Sequence, residues 1–144
     1  MKSILQRLSV ILVFSLLCFL TVAAQEITVD SLKYELNSTD HTATVSGYVE
    51  GIKHANIPNT VDYNGQEFIV TALGNSCFRL CSGLTSINIS DGVTAIGKSC
   101  FYGCSGLTSI KIPDGVTALG DWCFSYCSGL TSINIPDGVT ALGY

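Results

Sequence analysis

A period of 23 residues governs the C-terminal half of the chain. Val70–Gly92 reads VTALGNSCFRLCSGLTSINISDG, Val93–Gly115 reads VTAIGKSCFYGCSGLTSIKIPDG, and Val116–Gly138 reads VTALGDWCFSYCSGLTSINIPDG. Sixteen of the 23 columns are identical in all three copies, and a fourth copy runs from Val139 to Tyr144. A repeat of this length is one small structural unit that cannot bury its apolar side alone. Such units stack, each touching only its neighbours, and share one continuous core.

Each unit can be read from its residue types. Leu84, Ile87 and Ile89 have the L-x-x-I-x-I spacing, with polar residues alternating between the two isoleucines. That pattern belongs to a strand with one buried face. Pro113-Asp114-Gly115 is a turn: Pro fixes φ, Asp can bond its own backbone, and Gly permits positive φ. Val116 to Gly120 is a second short extended piece, and Asp121 to Cys127 has the length of one or two helical turns closed by Gly129. Stacked strands lie about 4.8 Å apart. The Leu, Ile, Val and Phe columns then become ladders inside a coil. The expected fold is mainly β with short helical turns, a solenoid of 23-residue units.

The N-terminal part differs. Residues 1–24 carry Lys2 and Arg7, an apolar run from Leu8 to Leu20, and the small residues Ala23 and Ala24 before Gln25. This order is that of a secretory signal peptide, and the run is shorter than the roughly 20 residues of a membrane span. The reading therefore places the chain outside the cell or on its surface, with no membrane insertion after cleavage. Residues 25–69 read as an N-terminal β-hairpin cap. Leu32–Leu36 and Thr42–Tyr48 alternate like strands, and Val61–Tyr63 and Gln66–Val70 flank Asn64-Gly65, a two-residue hairpin signal. Residues 70–144 form the solenoid, three full repeats and a partial fourth.

The pattern C-S-G-L-T-S-I-x-I-P-D-G-V-T-A-L-G-x-x-C-F resembles the BspA-like leucine-rich repeats of bacterial surface proteins. The lead-in resembles them as well, in Leu32-Lys33-Tyr34-Glu35-Leu36, Ala43-Thr44-Val45, Ile57-Pro58 and Val61-Asp62-Tyr63-Asn64-Gly65. The resemblance implies a curved leucine-rich-repeat solenoid on or outside the cell. It also implies an adhesive role, with a host matrix protein as the class of partner. One departure concerns the residue before the Phe, commonly small in the family and here Cys77, Cys100 and Cys123.

Composition excludes some functions. Losing Lys2 and Arg7 with the leader takes the formal net charge from −4 to −6. Nucleic-acid backbones and anionic membranes both select clustered Lys and Arg, so neither is an expected partner. The only histidines are His41 and His54, both in the cap. Hydrolysis needs a nucleophile beside a base, and no repeat supplies one, so the chain is not read as an enzyme. No cofactor is expected. Asp91, Asp114 and Asp137 read as turn residues facing water rather than as a calcium column. The six repeat cysteines form C-x-x-x-C pairs, not the C-x-x-C of zinc sites. Buried thiols are favoured over disulfides and over metal, because free Cys is among the most buried residue types.

What varies between copies should face solvent. Aromatic and Arg residues anchor binding surfaces, which singles out Arg79, Tyr102, Trp122 and Tyr126 near the expected helical turns. On the strand face, Ser86, Asn88, Ser109, Lys111, Ser132 and Asn134 should point outward. The expected function is a protein-binding or adhesive surface for an extracellular protein. The alternative is a structural spacer of a larger repeat array. Leu130, Ile133 and Ile135 lie behind the last strand edge, so self-association through the C-terminal end is expected where no cap covers it.

Overall fold

The computed structural model describes residues 24–143. The signal peptide read at residues 1–24 therefore lies outside the described residues, save for Ala24. Among the described residues there are ten strands and no α-helix. They are β1 (Gln25–Val29), β2 (Leu32–Asn37), β3 (Thr42–Tyr48), β4 (His54–Ile57) and β5 (Thr60–Tyr63). Then come β6 (Gln66–Leu73), β7 (Ser86–Ile89), β8 (Ala95–Ile96), β9 (Ala118–Leu119) and β10 (Ala141–Leu142).

The larger sheet runs β1-β2-β3-β6-β8-β9-β10, with β5 paired to β6. The pairs β1–β2, β2–β3 and β5–β6 are antiparallel. From β3 onward along the main path every pair is parallel, because each strand comes from the same position of the next coil. Ala72, Ala95, Ala118 and Ala141 stand in one register column. The repeat glycines continue this ladder across the coils. Gly74 N donates to Val45 O, Gly97 N to Leu73 O and Gly120 N to Ile96 O, each at 2.8 Å. Val45 belongs to β3, so the cap supplies the first rung.

The second sheet pairs β4 with β7 in parallel, His54 opposite Ser86 and Asn56 opposite Asn88. A single bridge, Lys111 to Asn134, continues that line. The L-x-x-I-x-I segments thus stack as expected, but only the first makes a regular strand. β4 also stands 32 residues before its partner rather than 23. The β5–β6 hairpin is the insertion that lengthens this first coil. Segment 51–69 therefore both caps the stack and builds part of its first turn.

The segment expected to hold helical turns forms consecutive turns instead. The N–H groups of Arg79 and Cys81 bond back three residues, to Ser76 O and Phe78 O. The N–H groups that alternate with these reach the next coil: Ser76 to Lys98 O, Phe78 to Cys100 O and Leu80 to Tyr102 O, at 2.8, 2.9 and 2.7 Å. A helix would spend all of these donors within the segment. Here alternate donors are spent across coils, so no helix can form. Positive φ at Ser76 and Leu80 (58° and 61°) makes the alternation possible.

The core is a set of columns. Leu84 and Leu107 are fully buried, as are Val70, Val93 and Val116. Tyr48, Phe78, Phe101 and Phe124 stack with nearly parallel rings, centroids 5.8, 5.5 and 5.4 Å apart. No polar or charged residue is buried among the described residues.

Candidate functional site

Two side-chain rows emerge from the coils. The first lies on the turn segments. Arg79 places its guanidinium 5.2 Å from the centre of the Tyr102 ring. Tyr102 meets Tyr126 edge-on, centroids 5.1 Å apart. The row thus links three successive coils through a cation–π and an edge-to-face contact. Tyr126 is 72 % exposed, whereas Tyr102 is half-buried between its neighbours.

The backbone beneath this row is strained. Leu80, Gly103 and Tyr126 occupy one column, with φ of 61°, 72° and 60°. Ser76, Ser99 and Trp122 occupy another, with φ of 58°, 53° and 62°. An L-residue in this region costs roughly 1–2 kcal/mol. The inter-coil ladder accompanies this conformation: Ser76, Leu80, Ser99 and Gly103 donate their N–H groups to the next coil, and Asp121 O and Ser125 O, just before Trp122 and Tyr126, accept from Ser99 and Gly103. Glycine meets the demand without strain at residue 103. Large side chains at 80, 122 and 126 bear it while remaining over half exposed.

Trp122 does not join the row. It lines a cavity of about 280 Å³ at the C-terminal end, with Phe124, Ile133, Ile135 and Leu142. The four turn residues expected to cluster therefore divide into a row of three and a separate end position. The sequence places Trp122 in a different repeat column from the other three, and the helical turn that would have brought the columns together is absent.

The second row lies on the strand face. Ser86, Asn88, Ser109, Lys111, Ser132 and Asn134 are all exposed, as the alternation required. Two residues that sequence reasoning passed over extend the face. His54 Nδ1 lies 2.7 Å from Ser86 Oγ, and Asn88 donates from Nδ2 to Asn56 Oδ1 at 2.8 Å. The signal was present: Ala55-Asn56-Ile57-Pro58 parallels Ile133-Asn134-Ile135-Pro136, but the hairpin insertion put it out of period. A groove of about 440 Å³ runs along this face, lined in part by Asn56, Asn59, Asn88, Asp91 and Lys111.

His54 and Ser86 are both exposed, and Thr85 Oγ1 lies 3.4 Å from the same ring nitrogen. Among the described residues no carboxylate bonds that ring. The pair thus lacks the orienting third group of a nucleophilic site.

The family model for the BspA type leucine rich repeat region matches residues 51–144, in six copies. Among solved structures, a leucine-rich repeat protein from Bacteroides ovatus superposes with a TM-score of 0.73 at 31 % identity. The match covers 81 % of this chain and 37 % of that one. A leucine rich cell surface protein from Faecalibacterium prausnitzii gives 0.69 at 30 % identity, over 84 % of this chain and 40 % of that one. A leucine-rich repeat protein from Bacteroides capillosus gives 0.57 at 27 % identity, over 75 % and 96 %. The chain thus spans well under half the length of the first two. Among curated proteins no relative matches. The repeat register, the parallel coil ladder and the family match together establish that this chain belongs to the BspA type leucine-rich repeat family.

Proposed function

We propose that the chain is a secreted or cell-surface recognition module that binds an extracellular protein, a host matrix protein being the class in view. It performs no catalysis in this reading. The observation that carries it is the Arg79–Tyr102–Tyr126 row, whose two ends are exposed and whose three side chains touch in series. Arg and Tyr are the residue types of binding hot spots, and a rigid scaffold presents them at fixed spacing. A neighbour described as a cell surface protein supports the location.

The repeat supplies its own control residues. Ser125 replaces Arg79 in its column, Ser76 and Ser99 replace Trp122, and Gly103 replaces Tyr126. A triple variant, Arg79→Ser, Trp122→Ser and Tyr126→Gly, should weaken binding to a matrix protein by tenfold or more, about 1.4 kcal/mol. Tyr126→Gly alone should change stability by no more than about 1 kcal/mol, since relieved strain offsets the lost ring contact. Capture on a panel of purified matrix proteins, read beside thermal melts, checks both. Unchanged capture by the triple variant favours the spacer reading.

A second contact is proposed at the C-terminal end. Ile135 and Leu142 are 39 % and 62 % exposed there. Where no further coil covers this edge, a second copy of the chain is expected to. Sedimentation at several concentrations should then show a concentration-dependent mass, and a fixed monomer mass would refute it.

A further inference from the structure

Two cysteine columns run through the coils, and they are bonded differently. All six cysteines, Cys77, Cys81, Cys100, Cys104, Cys123 and Cys127, are buried free thiols. In the second column the sulfur reaches a carbonyl of the preceding coil: Cys104 Sγ donates to Phe78 O at 3.1 Å and Cys127 Sγ to Phe101 O at 3.0 Å. In the first column sulfur faces sulfur: Cys77 Sγ lies 3.3 Å from Cys100 Sγ, and Cys123 holds the equivalent position one coil further on. Cys100 therefore stands between two partners.

The backbone imposes this arrangement. Ser76 N to Lys98 O and Phe78 N to Cys100 O, at 2.8 and 2.9 Å, flank the first pair. Ser99 N to Asp121 O and Phe101 N to Cys123 O, at 2.8 and 2.9 Å, flank the second. Parallel chains bonded in this way run about 4.8 Å apart. That separation falls inside the roughly 4.4–6.8 Å Cα range of disulfides. The close sulfurs are 23 residues apart, not the 4 residues that the C-x-x-x-C spacing draws attention to.

We propose that the first column is a redox site, in which a small disulfide oxidises two thiols to one inter-coil bond, with Cys123 as nucleophile and Cys100 as the shared sulfur. Cys123 is the member that lines the end cavity. The neighbouring Cys100 holds the Cys123 thiol below the usual range, while burial pushes the Cys100 thiol well up. Cys123 gives up its proton, and its thiolate attacks one sulfur of R–S–S–R, forming Cys123–S–S–R and releasing RS⁻, which takes up that proton. Cys100 Sγ then attacks Cys123 Sγ. The Cys100–Cys123 bond forms, and the second RS⁻ leaves with the Cys100 proton. Two cysteine thiols are oxidised and one small disulfide becomes two thiols. Cys77 can next attack Cys100 Sγ, which moves the bond to Cys77–Cys100 and restores the Cys123 thiol by redox-neutral exchange. In the second column Cys104 and Cys127 commit their thiols to carbonyls of the preceding coil, and burial pushes the Cys104 thiol up to about 12, so this column stays reduced.

The test incubates the native chain with limiting glutathione disulfide, blocks free thiols, and maps cross-links by tandem fragmentation. The expected result is a loss of two thiols per oxidised chain, with every cross-link joining Cys100 to Cys77 or Cys123. The β-rich far-ultraviolet spectrum should persist. Cys100→Ala should trap the glutathione adduct on Cys123, and Cys77→Ala should still give the Cys100–Cys123 bond. Mapping of the unsubstituted chain decides the matter even if a variant does not fold. Thiol loss only on unfolding, a cross-link containing Cys81, Cys104 or Cys127, or a lasting adduct without a cross-link would each overturn the proposal.

Discussion

Phe101→Ala should remove about 3–5 kcal/mol of stability, the range for deleting a fully buried aromatic side chain. Phe101 is 0 % exposed and has a ring stacked on each side, Phe78 at 5.5 Å and Phe124 at 5.4 Å. The ladder bonds that tie its coil to the neighbours on both sides leave little room for collapse around the cavity. Phe124→Ala should cost clearly less, because Phe124 is only partly buried and stacks on one ring among the described residues. Urea unfolding of both variants measures the difference as a shift in midpoint at constant slope. Equal losses at the two positions would mean that the phenylalanine column does not carry the stack.

Gly106→Ala should destabilise by about 3 kcal/mol, at the upper end of overpacking costs. Gly83→Ala, at the same repeat position, should be nearly neutral. A Cβ on Gly106 would lie 2.4 Å from Ser82 O and 3.1 Å from Leu84 O, both backbone atoms of the preceding coil. Neither can yield without moving that coil and its hydrogen bonds. A Cβ on Gly83 would meet only Ile52 O, at 3.7 Å, an ordinary contact. The difference arises because the coil before Gly83 is the irregular first one. Thermal melts of the two variants give the ranking, and a greater loss at Gly83 would contradict it.

Much of this fold was legible in the chain because repetition amplifies weak signals. Three copies of L-x-x-I-x-I, each followed by a turn signal, located the stacked segments. Asn64-Gly65 located the β5–β6 hairpin, and both residues take the positive φ that such a turn needs, 54° and 77°. The hairpin between β1 and β2 escaped notice for the converse reason. Its turn is Asp30-Ser31, with φ of 48° and 66° but no glycine to announce it. β4 escaped because the inserted hairpin broke the period. The helical turns were misread because one copy of C-F-x-x-C looks like any short helix. Only the stacked neighbour reveals that alternate amides are spent across coils.

The candidate surface was legible one column at a time. Strand alternation identified the exposed strand positions, to which the structure adds His54 and Asn56, whereas variation between copies misleads at Pro113, which varies with Ser90 yet is buried. The contacts between columns were not legible, since they depend on backbone direction. For that reason the sequence does not separate Trp122 from a row it does not touch, and the Cys77–Cys81 spacing hides the Cys77–Cys100 approach.

Stacking through alternate turn amides is tested most directly by hydrogen exchange at three equivalent positions, Phe78, Phe101 and Phe124. Phe78 N donates to Cys100 O and Phe101 N to Cys123 O, each at 2.9 Å. Phe124 N finds no such partner among the described residues. At concentrations where sedimentation gives a monomer, the first two amides should exchange slowly and the third fast. Equal protection of all three would contradict the inter-coil ladder, because that is the result a helical turn in every repeat would give.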